Sequence, residues 1–90
     1  MNDRGTQAKL SLYYYDQCSF CQRVLRVIDE LGVEVELRNV LTTPGHREEL
    51  IGARGRGTVP VLKTDFADGR SEWMGESADI VEHLNTLRAA

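Results

Sequence analysis

The chain has 90 residues, of which 41% are hydrophobic and 28% are charged. This length predicts a single domain spanning residues 1–90, and the composition excludes intrinsic disorder and fibrous repeats. The 11 Lys and Arg residues against 14 Asp and Glu residues give a net charge of −3. Domains that bind nucleic acid are usually strongly basic, so nucleic acid is not an expected partner.

The sequence shows no pattern typical of export or membrane insertion. Residues 1–7 contain no apolar stretch like that of a signal peptide, and no run approaches the roughly 18 apolar residues that span a bilayer. We therefore expect a cytoplasmic protein without a membrane partner. In a reducing compartment, the pair Cys18 and Cys21 is more typical of a redox or metal site than of a structural disulfide.

The first three predicted elements form a β-α-β unit. Residues 10–15 are rich in β-forming side chains and predict a strand. A helix follows Cys18 and ends at Gly32, which suits a left-handed helix end. Residues 33–37 alternate apolar and charged side chains, which predicts a half-buried strand with Leu37 on the apolar face. The apolar stripe of the helix consists of Cys21, Val24, Leu25, Ile28 and Leu31.

The remaining pattern predicts a helix, two strands and a final helix. Residues 42–53 contain an N-cap threonine followed by proline, which is typical of a helix start. Residues 59–62 resume β character, and an Asp-Gly turn separates them from a strand at residues 71–74. The last helix is predicted to begin after the N-cap Ser77, with an apolar stripe of Ile80, Val81, Leu84 and Leu87. The predicted order is therefore β-α-β-α-β-β-α.

The two cysteines differ in their predicted surroundings. Cys18 opens the first helix, where unpaired N–H groups and the helix dipole stabilise a thiolate, so we predict it as the nucleophile. Cys21 lies one turn later on the apolar stripe, which predicts a more buried, resolving thiol. Two alternatives stay open, namely two structural core cysteines and a zinc site. For zinc, neither His46 nor His83 has a partner at the short spacing of zinc ligands, so we assign no metal ligand.

Three segments resemble the glutaredoxin family. Cys18-Ser19-Phe20-Cys21 stands in place of the family's Cys-Pro-Tyr-Cys, and Thr58-Val59-Pro60 matches its Thr-Val-Pro. Gly75-Glu76-Ser77, ahead of the last helix, is similar to a segment of glutathione transferases. The resemblance spans about residues 8–88 and implies a single glutaredoxin-like domain. It implies an α/β thioredoxin fold, with a four-stranded mixed sheet flanked by helices.

The same resemblance implies a glutathione site. Pro60 is expected to be the family's cis proline, and Val59 to pair through its backbone with the cysteine of glutathione. Arg47 is expected to reach the glycine carboxylate, a contact that suits a guanidinium group. Glu76 and Ser77 are expected to hold the γ-glutamyl end. The implied glutathione-binding residues are Arg47, Thr58, Val59, Pro60, Glu76 and Ser77.

Two positions depart from the glutaredoxin pattern. Tyr15 replaces the family's lysine three residues before Cys18, so a positive charge is missing and weaker glutathione affinity is expected. Ser19 replaces the proline of the motif. Some glutaredoxins with serine there bridge two subunits with an iron-sulfur cluster, so this departure implies a second function.

These features predict a glutathione-dependent thiol–disulfide oxidoreductase in which Cys18 attacks glutathionylated or disulfide-bonded proteins and glutathione is the co-substrate. A monomer is expected for this enzyme. The alternative is a cluster carrier, in which two chains and two glutathiones hold one [2Fe-2S] cluster through Cys18. A further alternative is a glutathione-binding module related to the transferase N-terminal domain.

Overall fold

The computed structural model describes residues 8–89, and its elements follow the predicted order. The four strands form one mixed sheet in the order β2-β1-β3-β4, in which β1 is parallel to β2 and antiparallel to β3. This architecture confirms the α/β, thioredoxin-like fold. The elements are β1 (Lys9–Tyr14), α1 (Ser19–Leu31), β2 (Glu36–Asn39), α2 (Pro44–Arg54), β3 (Val61–Asp65), β4 (Ser71–Met74) and α3 (Ser77–Ala89).

One face of the sheet packs against α1 and α3 and holds the larger apolar cluster. Its side chains are almost completely buried because the stripes of both helices face alternate residues of β1 and β3. The apolar stripe predicted for α1 is confirmed. Leu87, predicted on the α3 stripe, is instead 41% exposed, because it lies beyond the last turn that reaches the cluster. The buried members are Leu12, Val24, Leu62, Ile80 and Leu84.

The other face of the sheet packs against α2 and holds a smaller cluster. Tyr13 and Val61 are neighbours on adjacent strands, and Leu50 of α2 packs onto them. Val40 completes the buried set, while Trp73 packs at its margin. The sheet is therefore covered by helices on both faces.

The second strand differs from its prediction in position. It covers Glu36–Asn39 and not residues 33–37, although Val33 and Val35 do pack against the larger cluster. Because these two valines pack against the cluster, apolar and charged residues already alternate in the sequence before the hydrogen bonds to β1 begin. Leu37 pairs with Leu12 but is 48% exposed, because β2 is an edge strand that the helices do not fully cover.

Glycine and proline mark the helix ends as predicted. Gly32 has φ 69° and ends α1, and Pro44 opens α2. Thr43 is the N-cap residue of α2 but its side chain makes no capping hydrogen bond. Ser77 is the first helical residue of α3 and not its N-cap, because the carbonyl of the preceding residue already accepts the helical hydrogen bond. Within residues 8–89, no helix has the length and apolar character needed to cross a membrane.

Candidate active site

The cysteine loop and the Thr-Val-Pro segment lie at the same edge of the sheet. Tyr13, near the end of β1, pairs with Val61, the first residue of the antiparallel β3. The chain that leaves β1 therefore begins beside the chain that enters β3. This register places the loop before Cys18 near Pro60, although the two are more than 40 residues apart in the sequence.

The third segment reaches the same edge through β4. Met74, the last residue of β4, pairs with Leu62 near the start of β3. The residues Gly75–Ser77 follow directly and lead into α3. The sheet topology thus gathers three distant sequence segments into one site, and both α1 and α3 begin there.

The two cysteines occupy different environments at the start of α1. Cys18 is the N-cap residue, and its Sγ accepts a hydrogen bond from the Cys21 backbone N–H at 3.2 Å. An anionic sulfur accepts such a bond more strongly than a neutral thiol does. Cys21 is fully buried, and this burial, together with its hydrogen-bonding neighbour Cys18, raises the pKa of Cys21 to about 12. Both cysteines are free thiols, and their roles as nucleophile and resolving thiol stay predictions.

A cleft of about 210 Å³ opens beside the cysteine loop. Five of the six predicted glutathione-binding residues line it, namely Thr58, Val59, Pro60, Glu76 and Ser77. The Val59–Pro60 peptide bond is cis, as the resemblance implied. Among residues 8–89, the backbone of Val59 has no hydrogen-bond partner, so both its N–H and its C=O are available to a ligand.

Arg47 is the predicted binding residue that the structure leaves outside the cleft lining. It lies exposed on α2, and its side chain extends towards the loop before Thr58. An alanine Cβ at Gly57 would lie 3.6 Å from Arg47 Nε, which is ordinary contact distance. Arg47 therefore stands at the margin of the site, beside the segment that leads into Thr58.

The cleft also contains two arginines that belong to none of the sequence motifs. Arg54 and Arg56 both line it, and Arg54 Nη1 donates a hydrogen bond to the carbonyl oxygen of Trp73 at 3.3 Å. The signal for them was the presence of three arginines within ten residues. Phe20, which is 61% exposed, adds an aromatic side chain from the cysteine motif.

The described residues bring no large set of metal-ligating side chains together. Within residues 8–89, no group of three or more His, Cys, Asp or Glu side chains could hold a metal ion. An iron-sulfur cluster would thus depend on Cys18 and on ligands outside this chain. The cluster function implied by Ser19 stays a prediction.

Comparison with known proteins assigns the chain to a family. Residues 12–90 match the model of the glutathione S-transferase N-terminal domain. The chain belongs to this family. A search of curated protein sequences found no match. The sequence pattern indicated a likeness to transferases only near Ser77, whereas the family match includes nearly the whole chain.

Solved structures of glutathione-dependent proteins share this fold. Maleylacetoacetate isomerase from Anaeromyxobacter dehalogenans, with bound dicarboxyethyl glutathione and citrate, is 28% identical with a TM-score of 0.70, covering 92% of this chain and 38% of that chain. The trimeric glutathione transferase TDR1 of Leishmania is 31% identical with a TM-score of 0.69, covering 86% of this chain and 17% of that chain. The omega transferase 2S of Trametes versicolor, at 20% identity, covers 91% of this chain and 37% of that chain with a TM-score of 0.73. The chain therefore spans well under half the length of these proteins.

Proposed function

We propose that this protein is a glutathione-dependent enzyme whose Cys18 catalyses thiol–disulfide exchange, as in glutaredoxins. The observation that carries the proposal is the pair of free thiols at the start of α1. Cys18 is 9% exposed and its Sγ accepts a backbone N–H, whereas Cys21 is fully buried and its pKa is raised to about 12. This asymmetry suits one attacking thiol and one thiol held in reserve.

The binding of glutathione is supported by the cleft and by the similar proteins. The isomerase from Anaeromyxobacter dehalogenans holds glutathione or its dicarboxyethyl derivative in its active site. In this chain the unpaired backbone of Val59 would bind the cysteine of glutathione, while Glu76 and Ser77 would bind the γ-glutamyl end. Arg47 would reach the glycine carboxylate from the margin of the cleft. Residues 8–88 would act as one unit.

With a glutathionylated protein as substrate, the reaction needs only Cys18. The Cys18 thiolate attacks the glutathione sulfur, a Cys18–glutathione disulfide forms, and the protein thiolate leaves and takes up a proton. The thiolate of a second glutathione then attacks the glutathione sulfur of this mixed disulfide. Oxidised glutathione is released, and Cys18 returns to its starting state.

With a protein disulfide as substrate, Cys21 has a role. Cys18 attacks one sulfur of the substrate and forms a mixed disulfide, and the other substrate sulfur leaves as a thiolate. Cys21 then loses its proton and attacks the Cys18 sulfur, which closes the Cys18–Cys21 disulfide and releases the reduced substrate. Two glutathiones reduce the enzyme disulfide and become oxidised glutathione.

A transferase or isomerase reaction is the second candidate, favoured by the family match and by the isomerase with its bound glutathione derivative. In that case the sulfur of bound glutathione would attack an electrophilic carbon. Cys18 would only donate a hydrogen bond to that sulfur. A hydroxyl group could replace the Cys18 thiol in this role. The two candidates therefore differ in their response to Cys18→Ser.

The test measures two reactions in three proteins, namely the wild type, Cys18→Ser and Cys21→Ser. The first reaction is glutathione-coupled reduction of a glutathionylated peptide and of a protein disulfide, and the second is conjugation of glutathione to an aromatic electrophile. We expect Cys18→Ser to abolish both reductions. We expect Cys21→Ser to retain the reduction of the glutathionylated peptide and to lose most of the reduction of the protein disulfide.

The results separate the two candidates directly. Reduction that survives in Cys18→Ser, or equal loss in both variants, would contradict the exchange mechanism. Conjugation that persists in Cys18→Ser, without reductase activity in the wild type, would establish the transferase candidate instead. Thermal unfolding of all three proteins is the control for intact folding.

A further inference from the structure

The cleft contains charged side chains of both signs that have no ion partner. Arg54, Arg56 and Glu76 all line it. Within residues 8–89, none of the three forms an ion pair, whereas Arg38 and Lys63 on the α2 face each contact carboxylates. Charged groups of opposite sign that share a small cleft without pairing to each other are suited to a ligand that carries both charges.

Arg54 is held close to the segment that contains Glu76. Its Nη1 donates to the carbonyl oxygen of Trp73, the penultimate residue of β4. An alanine Cβ at Gly75 would lie only 2.8 Å from Arg54 Nη2, so the guanidinium occupies the space that a side chain at Gly75 would need. Glu76 is the next residue. The structure therefore places a cation directly beside the residue that supplies the carboxylate.

The guanidinium keeps hydrogen-bonding capacity for a ligand. Arginine has five N–H donors, and one described hydrogen bond uses one of them. A guanidinium matches the two oxygens of a carboxylate, and a carboxylate such as that of Glu76 matches an ammonium group. An α-amino acid headgroup carries one carboxylate and one ammonium on the same carbon atom, which is the complement of Arg54 and Glu76.

We propose that Arg54 is a specificity-determining residue that binds the α-carboxylate of a γ-glutamyl group, while Glu76 binds its α-ammonium. This inference rests on the proposed glutathione site and goes further, because the sequence resemblance implied only Glu76 and Ser77 at this end of the ligand. The class of thiol accepted by the cleft is then one with an intact amino acid headgroup.

The test measures the affinity of three ligands by calorimetry, each S-methylated so that no exchange occurs. The first is S-methylglutathione. The second is the γ-aminobutyryl analogue, which lacks the α-carboxylate, and the third is the glutaryl analogue, which lacks the α-ammonium. The proteins are the wild type, Arg54→Gln, Glu76→Gln, Gly75→Ala and Arg56→Gln.

We expect a selective pattern. Arg54→Gln should weaken S-methylglutathione and the glutaryl analogue about tenfold, as expected for a charge-assisted contact, and leave the γ-aminobutyryl analogue within about twofold. Glu76→Gln should do the reverse, weakening only the ligands that retain the ammonium. Gly75→Ala should reproduce the Arg54→Gln pattern, because the new Cβ displaces a flexible guanidinium and not the backbone.

Arg56→Gln is the matched control, since it removes the same charge from the same cleft. It should weaken binding only slightly, because Arg56 is exposed, and the weakening should follow the net negative charge of each ligand, so that it is largest for the glutaryl analogue and smallest for the γ-aminobutyryl analogue. Equal weakening of all three ligands by Arg54→Gln would overturn the inference, because a structural role cannot distinguish the analogues. An unchanged profile in Gly75→Ala would overturn it too. If the wild type binds none of the ligands, the proposed glutathione site itself fails, which is a different result.

Discussion

The two faces of the sheet are built from different interactions. The face covered by α1 and α3 is held mainly by a cluster of apolar side chains, from Leu12 in the sheet to Ile80 and Leu84 in α3. The face covered by α2 joins four buried residues to a network of charged and aromatic groups that includes Tyr13. The apolar face positions the helix that carries the cysteines. The polar face lies beneath the helix that carries Arg47 and Arg54.

Arg38 is the centre of the network on the α2 face. Its side chain, which is 13% exposed, donates hydrogen bonds to the Tyr13 hydroxyl at 2.6 Å and to Glu49 of α2 at 3.0 Å. The Tyr13 hydroxyl beside Glu49, together with Arg38 and Lys63, holds the pKa of Glu49 below its usual range. These contacts tie α2 to β1 and β2 through polar groups that require defined directions, whereas apolar packing requires only shape.

The largest expected effect comes from cutting a cavity into each face. Leu84→Ala should reduce the free energy of unfolding by about 3 to 4 kcal/mol, because it leaves a cavity within the larger apolar cluster. Leu50→Ala, equally buried, should cost about 2 kcal/mol, since the cluster around Leu50 includes Tyr13, whose hydrogen-bonded hydroxyl can help to hold water in the space. Urea unfolding of both variants measures the difference. Equal losses would show that the two faces respond alike.

The second prediction concerns the buried hydroxyl of Tyr13. Tyr13→Phe removes an acceptor from Arg38 and should cost about 1.5 kcal/mol at pH 7. Burial and the Glu49 carboxylate raise the pKa of Tyr13 to about 12 from its ordinary value of 10.0. A raised pKa gives stability that is complete below pH 10 and is lost as the pH rises towards 12. The stability difference between wild type and variant should therefore shrink over this range.

Unfolding by urea at a series of pH values between 7 and 11.5 checks this expectation. Because Tyr14, Tyr15 and the lysines are present in both proteins, their titration cancels in the difference. A difference that stays constant across the series would mean that the Tyr13 hydroxyl is not held neutral by the network.

The apolar face could be predicted from the sequence and the polar face only in part. Helical spacing in α1 and the Gly32 end follow from local rules, so their prediction needed no tertiary information. The partners of Arg38 come from β1 and α2, which are far apart in the sequence and meet only through the strand register. The sequence predicts the start of β2 too early, because Val33 and Val35 pack partly buried against the larger cluster although strand pairing begins only at Glu36.

The candidate site shows the same division. Each motif was visible in the sequence, and the cis bond before Pro60 followed from the family resemblance. The position of Arg54 over Gly75 could not be predicted, because it depends on how α2 ends relative to β4. Arg54 is the last residue of α2, and the sequence of this weakly amphipathic helix does not indicate which loop its side chain contacts.

The third prediction tests whether the α2 face contributes to binding through Arg47. Arg47→Ala should weaken glutathione about fivefold, or about 1 kcal/mol, because the lost contact is charge-assisted but exposed to solvent. An analogue without the glycine carboxylate should bind the variant and the wild type equally well. Calorimetry with both ligands provides the measurement. If the analogue loses affinity by the same factor as glutathione, Arg47 does not bind that carboxylate.

The smallest expected effect concerns the stability of α2 itself, through two glycines. Gly52 lies inside α2, and an alanine Cβ there would meet nothing within 4 Å. Gly52→Ala should therefore raise the free energy of unfolding by about 0.5 to 1 kcal/mol, because alanine loses less backbone entropy than glycine on folding. Gly55 is the matched control, since its φ of 78° ends the helix in the left-handed region. Gly55→Ala should reduce stability by about 1 kcal/mol, because a Cβ is disfavoured there.

Measured together, these two variants report whether the α2 face responds as an ordinary helix on a sheet. Urea unfolding gives the free energies, and glutathione affinity gives a second readout, since α2 carries both Arg47 and Arg54. Stabilisation by Gly52→Ala with unchanged affinity would mean that α2 already holds its arginines in place before the ligand binds. A gain in affinity without any gain in the stability of the unliganded protein would mean that α2 orders only when glutathione is bound. The two faces of the sheet would then differ in dynamics as well as in packing, with a rigid face behind the cysteines and a mobile one behind the arginines.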